Sequence, residues 1–186
     1  IKLWNICLKT VKNLKFTERI LTVSKLKLTK LEKNWIKYDV GNSAYILLAT
    51  TIIPILFKSI GENSLSSSDY LASWGYAMTI STLVIAILSP ILGAISDGRG
   101  KRKPMFQIFL FIGIIGLLIQ PLTTNWIVFL AVFIITKIGF NGSLVFYDSM
   151  LPDITTNDRM DEVSSFGYAW GYIGSCVPFI LSIVLA

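Results

Sequence analysis

The chain has 186 residues, 53% of them hydrophobic and 15% charged, with a mean hydropathy of +0.65 and a net charge of +6. A soluble domain of this length is markedly more polar, and here the apolar residues come in blocks, which points to membrane spans rather than a scattered core. Histidine is absent, which removes His-based triads and His metal sites, and the cations flank apolar blocks without any nucleic-acid motif, so neither a cofactor nor a nucleic-acid partner is expected.

Residues 1–33 form a basic leader. Trp4, Leu8, Val11 and Leu14 recur at helical spacing with Lys2, Lys9, Lys12 and Lys15 between them. Such a segment suits an interfacial helix on an anionic membrane, a disordered basic tail, or sequence upstream of the natural start; the residues leave these three open. It lacks the clean apolar core and small-residue cleavage site of a secretory signal. Cys7 lies in this leader and Cys176 in an apolar block, so no disulfide is expected.

Residues 34–186 form the membrane domain, with five apolar segments at about Trp35–Phe57, Leu71–Ser96, Pro104–Leu122, Trp126–Met150 and Ser165–Ala186. Each is near or above the ~20 residues that cross a bilayer as helix. The chain starts at isoleucine and ends inside an apolar run, which predicts a fragment. Ten of the 17 cations lie before or just inside the first segment, from Lys2 to Lys37, and four more are Arg99, Lys101, Arg102 and Lys103. The positive-inside rule then puts the leader and the second linker in the cytoplasm. The cation-poor linkers Gly61–Tyr70 and Thr123–Asn125 fall outside. The acidic linker Pro152–Ser164 falls inside, where Asp153, Asp158, Asp161 and Glu162 are expected to attract the basic loop.

Polar residues inside spans must face protein or water. In the first segment Asp39, Asn42, Ser43 and Thr50 fall on one helical face, and in the fourth Lys137, Asn141 and Asp148 do. One reading is a water-filled solute path; the other is a buried ion pair that only fixes packing. Lys137 is expected to look toward the polar face of the first span and to meet water or a solute carboxylate there. Pro54, Pro90 and Pro178 sit inside spans, where each frees a carbonyl and kinks its helix. Gly167, Gly171 and Gly174 in the fifth segment predict close helix packing rather than chemistry.

The stretch "SPILGAISDGRGKRKP" (Ser89–Pro104) joins the second and third segments. Gly93 is expected to let the second helix pack closely, Asp97 to stand where that helix leaves the membrane, and Gly98 and Gly100 to permit a sharp turn. A phosphate-cradling loop is excluded, because Ile95 stands where its first glycine belongs and Arg102 where a Ser or Thr should follow Lys101.

This stretch resembles the signature loop between helices two and three of the major facilitator superfamily, G-x-x-x-D-[RK]-x-G-[RK]-[RK], matched by Gly93, Asp97, Gly100, Lys101 and Arg102. Gly98 replaces the expected cation, with Arg99 directly after it. "NWIKYDVGNSAY" (Asn34–Tyr45), "FYDSMLPDI" (Phe146–Ile154) and "VSSFGYAWGYIGS" (Val163–Ser175) resemble the vacuolar amino-acid effluxer-like branch of that superfamily. The resemblance implies an all-α membrane protein, here the N-terminal part, about five transmembrane helices, of a twelve-helix bundle whose remaining helices are its partners. It implies a secondary transporter of small solutes, with amino acids among the candidates, working by alternating access in the plasma membrane with a cytoplasmic N-terminus. Helices one and four would line its cavity, with Asp39 or Asp148 available for proton coupling, and the loop from Gly93 to Arg102 would form the cytoplasmic gate. The rival reading is a non-transporting membrane scaffold or partner subunit. No nucleophile–base pair stands out, so an enzyme is not expected.

Overall fold

The computed structural model describes residues 28–62, 64–98 and 100–185, so the leader up to residue 27 and Arg99 lie outside the described residues. Six helices follow in order: α1 Lys30–Gly61, α2 Ser67–Ser96, α3 Arg102–Ile119, α4 Trp126–Ser149, the single turn α5 Leu151–Ile154, and α6 Met160–Leu185. Short 3₁₀ turns at Gln120–Leu122 and Asn157–Arg159 extend α3 and precede α6. Five helical segments are long and apolar enough to cross a membrane: Lys30–Gly61, Ser67–Ser96, Arg102–Leu122, Trp126–Ser149 and Asn157–Ile183. No strand occurs among the described residues.

Helix starts follow local chemistry. Thr29 and Glu32 form a capping box: the Glu32 amide donates to Thr29 Oγ1 at 3.2 Å and the Thr29 amide to Glu32 Oε2 at 2.7 Å. This cap starts α1 at Lys30, earlier than the apolar pattern alone indicates, and takes Lys30 and Lys33 out of the leader. Ser66 caps α2 through the Asp69 amide at 3.2 Å, and Asn125 caps α4 through the Ile127 amide at 2.8 Å. The acidic linker is shorter than its polarity suggests. Asp161 and Glu162 occupy the first turn of α6, where the helix dipole favours negative charge.

The helices associate as two tight pairs, α3 with α4 and α1 with α6, with α2 laid against α4. In a bilayer, association rests on close packing rather than on apolar burial, and glycines supply it here. A Cβ on Gly116 would stand 2.2 Å from Thr136 Oγ1, and one on Gly142 2.3 Å from Phe109 Cδ1. In the other pair, a Cβ on Gly167 would meet Trp35 at 2.8 Å, on Gly171 Ser43 Oγ at 2.8 Å, and on Gly174 Val40 Cγ1 at 2.4 Å. Those three glycines therefore pack as expected.

The seam between the pairs, along α1 and α4, is aromatic. Tyr45 stacks on Phe140 with ring centroids 3.9 Å apart, and Phe57 lies 5.7 Å from Phe129. At the opposite end Trp35 stacks on Tyr147 at 4.3 Å and donates its indole N–H to the Tyr147 carbonyl at 3.3 Å. The start of α1 thus lies beside the end of α4. Large apolar side chains such as Leu71, Leu118 and Leu181 point outward from α2, α3 and α6, as suits surfaces facing lipid or further helices.

Candidate functional site

A cavity of about 290 Å³ opens between α1, α4 and α6, beside the Trp35–Tyr147 stack. The face of α1 that carries Asp39, Asn42 and Ser43 lines one wall, and Asp148 at the end of α4 lines another. Ser164, Tyr168, Tyr172 and Ser175 of α6 complete it. The glycines of α6 hold this geometry, because at Gly171 an added Cβ would stand 3.2 Å from Asp39 Oδ2. Asp39 is 8% exposed and Asn42 6% exposed, whereas Asp148 is exposed. Neither carboxylate has a hydrogen bond or an ion pair with any described residue, and the Asn42 side chain is equally without a partner. No cluster of three or more His, Cys, Asp or Glu arranged to hold a metal occurs among the described residues.

The polar stripes divide. Asp39, Asn42 and Ser43 gather at the cavity, but Thr50, on the same face two turns on, is exposed and bonds back to the Ile46 and Leu47 carbonyls. Asp148 reaches the cavity while Lys137 does not. Lys137 turns instead to α2, with Nζ 3.4 Å from Met78 Sδ and 3.3 Å from Thr82 Oγ1. This corrects the expectation that Lys137 faces the polar side of the first span. The Tyr45–Phe140 stack fills that seam and leaves the ammonium the α2 side. Asn141, one turn below, closes on its own helix by donating to the Lys137 carbonyl at 2.8 Å.

Asp97 caps the C-terminus of α2, and its amide donates to the Gly93 carbonyl at 3.2 Å. Gly100 has φ 76°, the left-handed turn that a glycine makes without strain. Gly98 has an ordinary φ. Gly93 does not pack closely within this chain, since a Cβ there would meet nothing within 4 Å. Lys101 precedes α3 without a side-chain cap. Arg102 donates from Nε to the Ser96 carbonyl at 2.7 Å and from Nη1 to Asp153, so the basic and acidic loops do meet.

A second tie escapes the sequence pattern. Glu32, 1% exposed, accepts from Thr155 Oγ1 at 2.8 Å and pairs with Arg159 at 3.3 Å, fastening the start of α1 to the linker before α6. The capping-box spacing of Thr29 and Glu32 is the one local signal at this site. Nothing in the sequence links it to Arg159, 127 residues away.

Comparison with known proteins fits this architecture. Residues 66–186 match the family described as vacuole effluxer Atg22 like. An uncharacterized MFS-type transporter, YxiO of Bacillus subtilis (strain 168), is 40% identical over 161 residues, which cover 84% of this chain and 38% of that protein. No solved structure matches the chain significantly. The chain thus spans well under half the length of this relative. With five membrane-length helices, the signature loop at its place between α2 and α3, and these two matches, the chain belongs to the Atg22-like vacuole effluxer family of the major facilitator superfamily.

Proposed function

We propose that the whole protein is a secondary active transporter of small solutes, amino acids among them, that works by alternating access in the plasma membrane with the start of α1 on the cytoplasmic side. Asp39, Asn42, Ser43 and Asp148 stand on its solute and proton path, Lys137 and Asn141 on the part of that path nearer α2, and the loop Gly93–Arg102 forms the cytoplasmic gate. The observation that carries this reading is the pair of carboxylates, Asp39 and Asp148, at one cavity among membrane-length helices, with no cationic partner among the described residues. A carboxylate in a span is costly unless it meets water, a proton or a ligand, and such residues mark transport paths. A scaffold has no use for that expense.

The test is flux. Full-length protein in proteoliposomes should exchange radiolabelled amino acids, and Asp39→Asn and Asp148→Asn should each abolish exchange while leaving membrane insertion intact. If the wild-type protein moves none of the amino acids or related small solutes under any ion gradient, the scaffold reading stands instead.

A further inference from the structure

Building on that reading, we infer that the cavity between α1, α4 and α6 binds the cationic head of an organic ammonium solute, and that this binding needs no carboxylate on the solute. Two negative side chains, Asp39 and Asp148, face this space, and no described cation pairs with either. An independent observation points to a ligand: the Asn42 side chain, 6% exposed, lines the cavity and makes no hydrogen bond with any described residue, so its amide is left open to whatever fills the cavity. Its carbonyl oxygen is an acceptor for an N–H group.

The walls select the kind of cation. Trp35, Tyr147, Tyr168 and Tyr172 line the space, and aromatic faces attract an ammonium through their quadrupole. A bare metal ion calls for a close cage of oxygens, and a proton needs no room. The cavity holds about 290 Å³, against roughly 30 Å³ for one water. A small organic cation fits that volume, and its desolvated charge is met by the two carboxylates.

Distance excludes Lys137 as the partner for the other end of a zwitterion. Lys137 and Asp148 are eleven residues apart on α4, about 16 Å at 1.5 Å per residue. The ammonium and carboxylate of an α-amino acid lie only about 3 Å apart. The Tyr45–Phe140 stack also stands on the α1 side of α4 at the level of Lys137, whose ammonium points to α2. One α-amino acid cannot touch both poles. Lys137 is therefore not the partner of the solute's carboxylate, the two carboxylates of the cavity recognise the amine, and amines without a carboxylate should also occupy it.

The experiment follows occupancy rather than flux, so it separates this inference from the transport reading. Full-length protein lacking its native cysteines receives one reporter, Ser164→Cys, on the half-buried α6 wall of the cavity. Maleimide labelling of this cysteine is timed with ethylammonium, choline, propionate or sodium chloride. Ethylammonium should slow labelling about tenfold, equivalent to ~1.4 kcal/mol of occupancy, and propionate should have no effect. Asp39→Asn should abolish the protection and Asp39→Glu restore it, which distinguishes lost charge from lost fold. Protection by propionate equal to that by ethylammonium would overturn the inference. So would protection by sodium alone, or ethylammonium protection that survives the Asp39→Asn, Asp148→Asn double variant. Protection without flux would sink the transport reading and leave this one standing; flux without protection would do the reverse.

Discussion

Gly139→Ala tests whether the α3–α4 pair is held by backbone contact. A Cβ on Gly139 would stand 2.5 Å from the Gly113 nitrogen, 2.9 Å from the Gly113 Cα and 2.9 Å from the Phe109 carbonyl oxygen. All three neighbours are backbone, so no side-chain rotation relieves the clash. Carbon contacts are comfortable at about 3.5–4.0 Å, so α3 must retreat by roughly an ångström along a seam closed by Gly113, Gly116, Gly139 and Gly142. Overpacking of this kind costs about 1–3 kcal/mol, and an immovable neighbour places this site at the upper end. Alanine regains at most about 1 kcal/mol through helix propensity. The net loss is about 2 kcal/mol, roughly a 30-fold fall in the folded-to-unfolded ratio. Gly75→Ala is the control, because a Cβ there meets nothing within 4 Å and only the propensity gain applies. Reversible unfolding of the full-length protein in mixed detergent–SDS micelles, followed by tryptophan fluorescence, measures both. A Gly139→Ala protein as stable as wild type would refute the reasoning, as would a Gly75→Ala protein that falls equally far.

Three further outcomes are expected. Glu32→Ala removes the buried partner of Arg159 and the acceptor for Thr155, and should cost about 3 kcal/mol, the lower end for breaking a buried pair, because Arg159 is part-exposed and still reaches water; limited proteolysis across residues 151–159 should speed accordingly. Lys137→Met leaves Met78 and Thr82 without their shared ammonium contact and lowers the cost of inserting α4 by about 2.5–3.5 kcal/mol on translocon scales; the full-length variant should insert normally, and a reconstituted flux unchanged from wild type would remove Lys137 from the path. Cysteines at the exposed positions Lys103 and Thr156 should react with an impermeant maleimide from the cytoplasmic side only, and reaction of either from outside would invert the topology.

The five spans were legible because a membrane helix writes itself as a long apolar run, which needs no tertiary information. The loop from Asp97 to Lys103 was legible for a similar reason: glycine spacing and charge are local. Helical periodicity put Asp39, Asn42 and Ser43 on one face of the first span, while a cavity shared by the first and fourth spans was implied only by the family resemblance. What failed was direction. Periodicity places Lys137, Asn141 and Asp148 on one stripe, within about 40° at 3.6 residues per turn, but a stripe does not say what faces it, and the neighbour met at each level differs. At the level of Lys137 the α1 side is filled by Tyr45 on Phe140, so its long flexible stem takes the α2 side. Gly93 failed in a different way, since its small size is a necessary condition for close approach and names no neighbour. The Glu32–Arg159 tie joins positions that only the folded chain brings together.

The two glycine-sealed pairs have a mechanical corollary. In the α3–α4 pair the Gly139 backbone lies against the backbone of Gly113 and Phe109, and in the α1–α6 pair the side chains of Trp35, Ser43 and Val40 seat on Gly167, Gly171 and Gly174, so each pair is closely interlocked. The α1–α4 seam is different: it is closed mainly by stacked rings, with the Trp35–Tyr147 and Tyr38–Ser143 hydrogen bonds toward its cavity end. The Asp39–Asp148 cavity opens at the end of that seam, with one acid on each slab. A few degrees of rotation at the seam would therefore part or close the two charges like the jaws of a clamp, and the mouth width would follow the angle between two stiff bodies rather than the motion of any single loop.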